Sequence, residues 1–523
     1  MNKRFPSINY EALFFYSCLG VSLVVILLNP TNPTLDGPAH LYNANLVKYL
    51  IGGNQFISKY YTLNRVPAAN FTDHYLLAFF MSVFSWQVAE KLLFLLYLLG
   101  FTLLFRSLIK QWRPSNIGLS ILAIPFAFPF LYYIGFYNYC LSFPLLFGIL
   151  VYHHKIFYNQ TGEPALKNYV ILCLLATLIY FTNGLSFLFA GLALFLFEGP
   201  IWLRLLKQGI PIVWKRLLLF SLVWMPGIIC FLVFLCKVHI DSSNDRLSFS
   251  ELTQWIYHMQ PLVVFASGES NITCYLFYPV FISLVTAIYF RLRQKNEMRF
   301  NQSDVFLLLS AIACLCFFIV PNGASVGMMT TRLCNYFFIF LLFWIAMQKG
   351  SKIITWMVSF VVIAIHFTLL FTLHQPVIAD LNSELKNVRE AGGSIKPNSI
   401  VLNIDLTGNW LLNHFPDYLG VDKPLVILGN YEANDGWFAI TWNNGTIPHI
   451  QLDGKDSIPP FFNEHWKPSG ETKAIDYVFV YGNYEDLLQK QDWKTLNEIL
   501  VKDYKLVYNS PDKRIHVFSL AGK

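Results

Sequence analysis

The segment Asp36-Gly-Pro-Ala-His-Leu-Tyr-Asn-Ala-Asn-Leu-Val47 places an acid, a histidine and two asparagines directly after the first long apolar run. Read as a helix, it brings Asp36, His40 and Asn43 onto one face by i, i+4, i+7 spacing. Ala39, Tyr42, Leu46, Tyr49 and Leu50 fall on the other. That pattern predicts an amphipathic helix along a membrane interface, its polar face turned toward a site. A plainer reading stays open beside it. Asp36 is then an N-cap, and Pro38 sits in the first turn, where a missing N–H costs nothing. The two are compatible, because a capped helix also holds its acid still.

Around this segment the chain is 55% hydrophobic and 17% aromatic, with only 13% charged residues over 523 positions. A soluble chain carries about 25% charge, and the deficit is local. Residues 1–374 are repeated apolar runs of spanning length, whereas 375–523 have the composition of a soluble α/β domain. The expected fold is a polytopic α-helical membrane protein of about eleven spans with a C-terminal exterior α/β domain. The spans are read near 12–29, 88–109, 115–133, 138–156, 169–183, 185–203, 217–236, 272–291, 303–320, 332–347 and 352–374. The first run is long and lacks a small-residue cleavage site, so it reads as a span and not as a cleavable signal.

Lysine and arginine in the short loops set the orientation. Lys3 and Arg4; Arg106, Lys110 and Arg113; Arg204, Lys207, Lys215 and Arg216; Arg291, Arg293, Lys295 and Arg299; and Lys349 and Lys352 all fall on the cytoplasmic side of an eleven-span count. The loop 30–87, the loop 237–271 and the tail then lie outside. Tyr75 to Trp86 is too short to span and reads as a second interfacial helix. Pro125, Pro129, Pro144, Gly184, Pro226 and Pro321 read as helix breaks that hint at an outer cavity. In the tail, 399–405, 424–428 and 474–481 read as strands, 380–391 and 485–500 as helices, and 504–508 with 514–520 as a terminal hairpin.

The net charge of +7 is dispersed along span borders and forms no basic stripe, which excludes a nucleic-acid partner. The nine cysteines lie in or beside apolar runs and suit neither a disulfide nor a zinc framework. There is no dinucleotide fingerprint or phosphate-binding loop in the tail, and no internal repeat of the kind inverted-repeat transporters carry.

Several residues are candidates for chemistry. Asp36 is placed to deprotonate an acceptor hydroxyl, with His40 one turn on to tune it. Asp73, in Pro67-Ala-Ala-Asn-Phe-Thr-Asp73, is either a helix cap or a second acid, and Asn70 lies beside it. Arg332 opens a span on the side where basic residues are scarce, and its fork suits a lipid phosphate; snorkelling to the interface is the alternative. Asn138 and Asn183 sit at outer span turns, where they either bind sugar hydroxyls or cap helices. His258 and Glu269 lie in the 237–271 loop, in which Asp241 and Asp245 do not form an Asp-x-Asp pair.

These features together resemble the GT-C superfamily of integral-membrane glycosyltransferases. Asp36-Gly-Pro-Ala-His-Leu41 is similar to the Asp-x-Pro-x-His-Leu opening of bacterial members. Val66–Asp73, Gly135–Tyr139 and Tyr180–Leu185 look like later landmarks of the group, the last with Asn183 where histidine is usual. The resemblance implies a polyprenyl-phosphate sugar donor, transfer with inversion to a glycan, lipid or protein acceptor on the exterior face, Asp36 as the catalytic acid of the first loop, and Arg332 at the donor phosphate. It implies a bacterial inner membrane with a cytoplasmic N-terminus and a periplasmic tail. Members that need metal show clearer acidic clusters, so no cofactor is expected and no metal is predicted, a divalent ion staying open as the alternative. A transporter or lipid flippase, and a GT-C-like scaffold without chemistry, are the competing readings.

Overall fold

The computed structural model describes residues 9–158, 164–238, 243–293, 301–324, 327–443, 450–452, 455–457, 475–485 and 494–522. Lys3, Arg4, Asp241, Lys295, Arg299 and the 486–493 part of the expected helix 485–500 lie outside them. The chain forms two compact units that do not follow a single cut: residues 1–29 with 94–377, and residues 30–93 with 378–523.

The first unit is helical. Among the described residues, eight helices of the chain are long and apolar enough to cross a membrane, and three apolar helices are shorter. The shorter ones correspond to the expected spans 115–133, 169–183 and 303–320. In the first, Pro125 and Pro129 each remove a backbone donor. The chain answers with a 3-10 stretch, Pro114–Leu122, and short helices Ala123–Phe126 and Phe130–Tyr133. The second stops at Asn183, whose side chain accepts from the Ser186 backbone N–H at 3.0 Å and caps the next helix. The third ends just before Pro321. Pro144 and Pro226, by contrast, lie inside the continuous helices Tyr137–His153 and Ile212–Lys237 and break neither. Gly100 explains how Pro144 is accommodated: a Cβ there would come within 2.9 Å of the Pro144 ring, so the glycine clears its path.

The first helix, α1 (Tyr10–Leu28), packs Phe15, Cys18 and Leu19 against Ile121, Ile124 and Ile363. Three of the arginines read as loop charges are each paired with a buried or partly buried acid. Arg106 grips Glu11 through two bonds of 2.6 and 2.8 Å. Arg216 binds Glu198, which also meets His153 at 2.8 Å. Arg291 binds both oxygens of Asp304.

The second unit carries the helices α2 (Gly37–Ile51), α3 (Gln55–Tyr60) and α4 (Thr72–Met81), and the start of α5 (Trp86–Trp112). Its strands are β1 (Tyr61–Leu63), β2 (Ser399–Leu406), β3 (Leu425–Ile427), β4 (Ile440–Trp442), β5 (Ile450–Leu452), β6 (Lys455–Ser457), β7 (Tyr477–Gly482), β8 (Tyr504–Asn509) and β9 (Ile515–Leu520). Five of them form a mixed sheet in the order β3-β2-β7-β9-β8. β2 runs parallel to β3 and β7, and the hairpin β8–β9 closes antiparallel onto β7. Burial runs through all of β7 and through Ser399–Ile404 of β2, in keeping with largely apolar strands set inside the sheet. The helix expected over 75–86 is α4, which begins three residues earlier and ends at Met81.

Residues 37–47 of α2 are buried on every side. This corrects the expectation of a helix lying along a membrane interface: both faces meet protein. Tyr42, on the apolar face, does so through its hydroxyl. The hydroxyl donates to the Leu425 carbonyl at 2.8 Å and accepts from the Ile427 N–H at 3.0 Å. It thereby takes the place of a neighbouring strand along the free edge of β3. Gly420 makes room for the ring, since a Cβ there would lie 2.5 Å from it. Asn45, on the same side, donates to the Gly420 carbonyl at 2.7 Å. β1 pairs antiparallel with β4, and Tyr61 stacks on Trp442 at 4.2 Å.

Tyr42→Phe strands a buried N–H and a buried C=O, each worth about 1–3 kcal/mol. The unfolding midpoint in detergent is expected to fall by several degrees. A midpoint equal to wild type would refute the edge-closing role.

Candidate active site

Asp36 occupies the N-cap position of α2, yet its carboxylate makes no capping bond. Thr34 does that work instead: its hydroxyl accepts from the Gly37 N–H at 3.0 Å. The Asp36 carboxylate is therefore available to other partners. One oxygen lies 3.5 Å from His414 Nε2, and the Tyr431 hydroxyl donates to it. The Asp36 side chain keeps 14% exposure, whereas those of His40, Asp73 and Glu432 keep 5%, 0% and 0%. Burial pushes the Asp36 carboxyl up to about 7; the Glu432 charge adds to this, while His40 and Tyr431 oppose it. Burial pushes His414 down to about 4, so it faces Asp36 as a neutral imidazole at neutral pH. Asp417 completes this side. Both its oxygens are buried without a hydrogen-bond partner, and burial raises it well above the carboxylate range.

One turn along α2, His40 enters a denser group. Its Nδ1 lies 2.9 Å from Asp73 Oδ2, 3.2 Å from Glu432 Oε1 and 3.3 Å from His74 Nε2. His74 Nε2 lies 2.7 Å from Glu432 Oε2. The other Asp73 oxygen accepts from the His74 backbone N–H at 2.7 Å. Asn43 donates to Glu432 Oε2 and exchanges amide bonds with Asn430, which fixes the Glu432 rotamer. Burial alone would lower His74, but the Asp73 and Glu432 carboxylates outweigh it and push it up to about 10. Burial opposes ionisation of Asp73 and Glu432 as well, and the imidazoles beside them hold both below the usual range.

Of the residues singled out in the sequence, Asp36, His40, Asn43 and Asp73 come together here. Asp73 lies in the first turn of α4 but does not occupy its N-cap position. Asn70 lies in the loop before α4 and takes no part in the hydrogen bonds of the cluster. The other five belong to the helical unit. Asn183 is the cap described above. Asn138 is buried near the start of Tyr137–His153. His258 ends the helix Phe249–Tyr257, with Nδ1 at 3.2 Å from the Ser270 carbonyl. Glu269 accepts three backbone N–H groups, from Val264, Phe265 and Ala266, and so ties its own loop. Arg332 is buried, its guanidinium 4.9 Å from the Phe136 ring centre and 5.9 Å from that of Tyr139, with no acidic partner among the described residues.

Sequence reading missed His74, His414, Asp417, Asn430, Tyr431 and Glu432. His74 follows Asp73 directly. The Asn430–Glu432 turn follows β3, and loops at the carboxyl ends of parallel strands are where open sheets gather ligands; that rule was the available signal.

No protein-family model matches the sequence, and no curated protein matches it. Among solved structures, the chain is similar to ArnT from Cupriavidus metallidurans in the apo state. The match covers 98% of each chain, at 9% identity and a TM-score of 0.40.

Asp73→Asn removes the counter-charge shared by two buried imidazoles, a change worth about 3–5 kcal/mol. Glu390→Gln, which breaks the exposed Lys386–Glu390 pair, is expected to stay within about 0.5 kcal/mol. Thermal unfolding of the two variants side by side checks the contrast; equal midpoints would contradict the buried pairing.

Proposed function

We propose that the protein is a membrane glycosyltransferase of the GT-C type, which moves a sugar from a polyprenyl-phosphate donor to an acceptor hydroxyl on the exterior face. The observation that carries this reading is the Asp36 carboxylate. It stands at a helix start without capping it, and it keeps exposure while the acids of the neighbouring histidine cluster are sealed. The motif around it, Asp36-Gly-Pro-Ala-His-Leu41, resembles the opening of bacterial GT-C enzymes.

In this reading Asp36 takes the acceptor proton as the acceptor oxygen attacks the anomeric carbon. The bond from that carbon to the phosphate oxygen breaks with its electron pair, and polyprenyl phosphate leaves. A single displacement inverts the configuration. The leaving group is a stabilised anion, so no partner acid is required. His40 and Asp73 act at one remove: they lock α2 and α4, and the His40 N–H donates to the Asp36 carbonyl at 3.0 Å. Asn43 serves the same lock, through Glu432. Arg332 holds the donor phosphate. A guanidinium set against two rings, without a carboxylate, has its hydrogen-bonding fork open for two phosphate oxygens. The acceptor is a glycan, lipid or protein, and the membrane is the bacterial plasma membrane with the sheet-bearing unit outside.

Two variants test the assignment. Asp36→Asn is expected to abolish transfer of labelled sugar in membranes, by at least about 100-fold, with abundance and unfolding midpoint kept. Product formation at the wild-type rate would remove Asp36 from the chemistry. Mass spectrometry of co-purified lipid is expected to find polyprenyl phosphate, free or glycosylated, with wild type and not with Arg332→Ala. Equal lipid in both preparations would remove Arg332 from the donor site.

A further inference from the structure

Three side chains converge on one ring nitrogen of His40, more than a single N–H can serve. His40 Nδ1 has three neighbours within 3.3 Å: a carboxylate oxygen of Asp73, one of Glu432, and His74 Nε2. A single N–H satisfies one of them. Glu432 Oε1 makes no hydrogen bond although it lies 3.2 Å from that nitrogen. His40 and His74 therefore bring a ring nitrogen each into one small group, with Asp73 beside the first and Glu432 beside both. The donor atoms of His40, Asp73 and His74 all lie within 4.8 Å of one another. Ligands at about 2.0–2.1 Å from a tetrahedral ion stand roughly 3.4 Å apart, and the contacts of His40 Nδ1 with Asp73, Glu432 and His74, at 2.9, 3.2 and 3.3 Å, are slightly shorter than that spacing.

We propose that His40, Asp73, His74 and Glu432 form a four-donor site for a divalent first-row transition metal, with zinc the best fit. Two imidazoles and two carboxylates suit zinc and, less well, manganese or iron; hard oxygen-only ions lack enough oxygens here. Two carboxylates also balance one divalent charge with both imidazoles neutral, so the buried site carries no net charge. Asn43 and Asn430 orient Glu432 from outside, as outer partners of metal ligands do. All four donors come from protein, so the site is closed and its role is structural. It clamps α2 and α4 to the turn Tyr431–Ala433. The proposal does not depend on the transferase reading. It also explains why no metal was visible in the sequence: the donors are spread from the first loop to the far tail in no motif.

The test is metal analysis of the full-length chain, purified in detergent with its affinity tag removed, loaded with zinc and passed through gel filtration. About one zinc per chain is expected, lost in His74→Ala and Glu432→Gln and retained in His258→Ala, which lies outside the cluster. Asn43→Ala is expected to weaken zinc binding by about 10–100-fold in competition with a chelating dye. Should the ligand variants fail to fold, the wild type decides. A chelator lowers its unfolding midpoint, and added zinc restores it. Wild type without bound metal after loading, or ligand variants with wild-type metal content, would overturn the site in favour of a closed ion-pair network. Metal retained without transfer activity strikes only at the transferase reading; transfer without metal strikes only at this one.

Discussion

Two carboxylates and two imidazoles, sealed from water, tie residues 30–93 to residues 378–523. His40 and His74 come from the first of these segments with Asp73, and Glu432 comes from the second. Exposed, such pairs would contribute about 0–1 kcal/mol each. Buried, removing one member strands a charge at about 3–5 kcal/mol, a large share of the 5–15 kcal/mol typical of a whole domain. The loop and the tail therefore fold as one body or leave several charges uncompensated. The strand pairing of β1 with β4 and the Tyr42 hydroxyl on the edge of β3 reinforce the same union by hydrogen bonds.

This union decides where Asp36 stands. A carboxylate at a helix start is ordinarily consumed by the backbone N–H groups behind it. Here Thr34 satisfies one of those groups, and Pro38, within the first turn, has none to satisfy. The helix that carries Asp36 is immobilised one turn later by His40, so the backbone beneath the acid is fixed while its carboxylate meets Tyr431 and His414. Burial beside Glu432 then raises its proton affinity, which a base needs.

Much of the architecture was legible because it rests on local pattern. Spanning helices follow from run length, and β2, β7 and the β8–β9 hairpin follow from apolar runs bounded by turn residues. Two kinds of feature were not legible. Pro144 and Pro226 read as breaks, yet both are carried inside helices, and Gly100, far from Pro144 in sequence, leaves room for its ring. The surroundings of α2 were also misjudged. An amphipathic pattern states that two faces differ, not what each meets, and here the apolar face meets the edge of β3 through Tyr42 and not a membrane interface. Asp36, His40 and Asn43 are legible because helical spacing sets them on one face, and Asp73 because it stands just ahead of an apolar run. Glu432, His414 and Asp417 were missed because only the tertiary fold brings them there.

The arginines of the helical unit separate by the same electrostatic logic. Arg106, Arg216 and Arg291 each bind an acid, and those pairs are complete in themselves. Arg332 is buried at least as deeply as Arg106 but is faced by the rings of Phe136 and Tyr139. Ring faces return about 0.5–2 kcal/mol to a cation, which falls short of the several kcal/mol that desolvating it costs. Under the function proposed above, the anionic donor phosphate supplies the balance that helix packing does not.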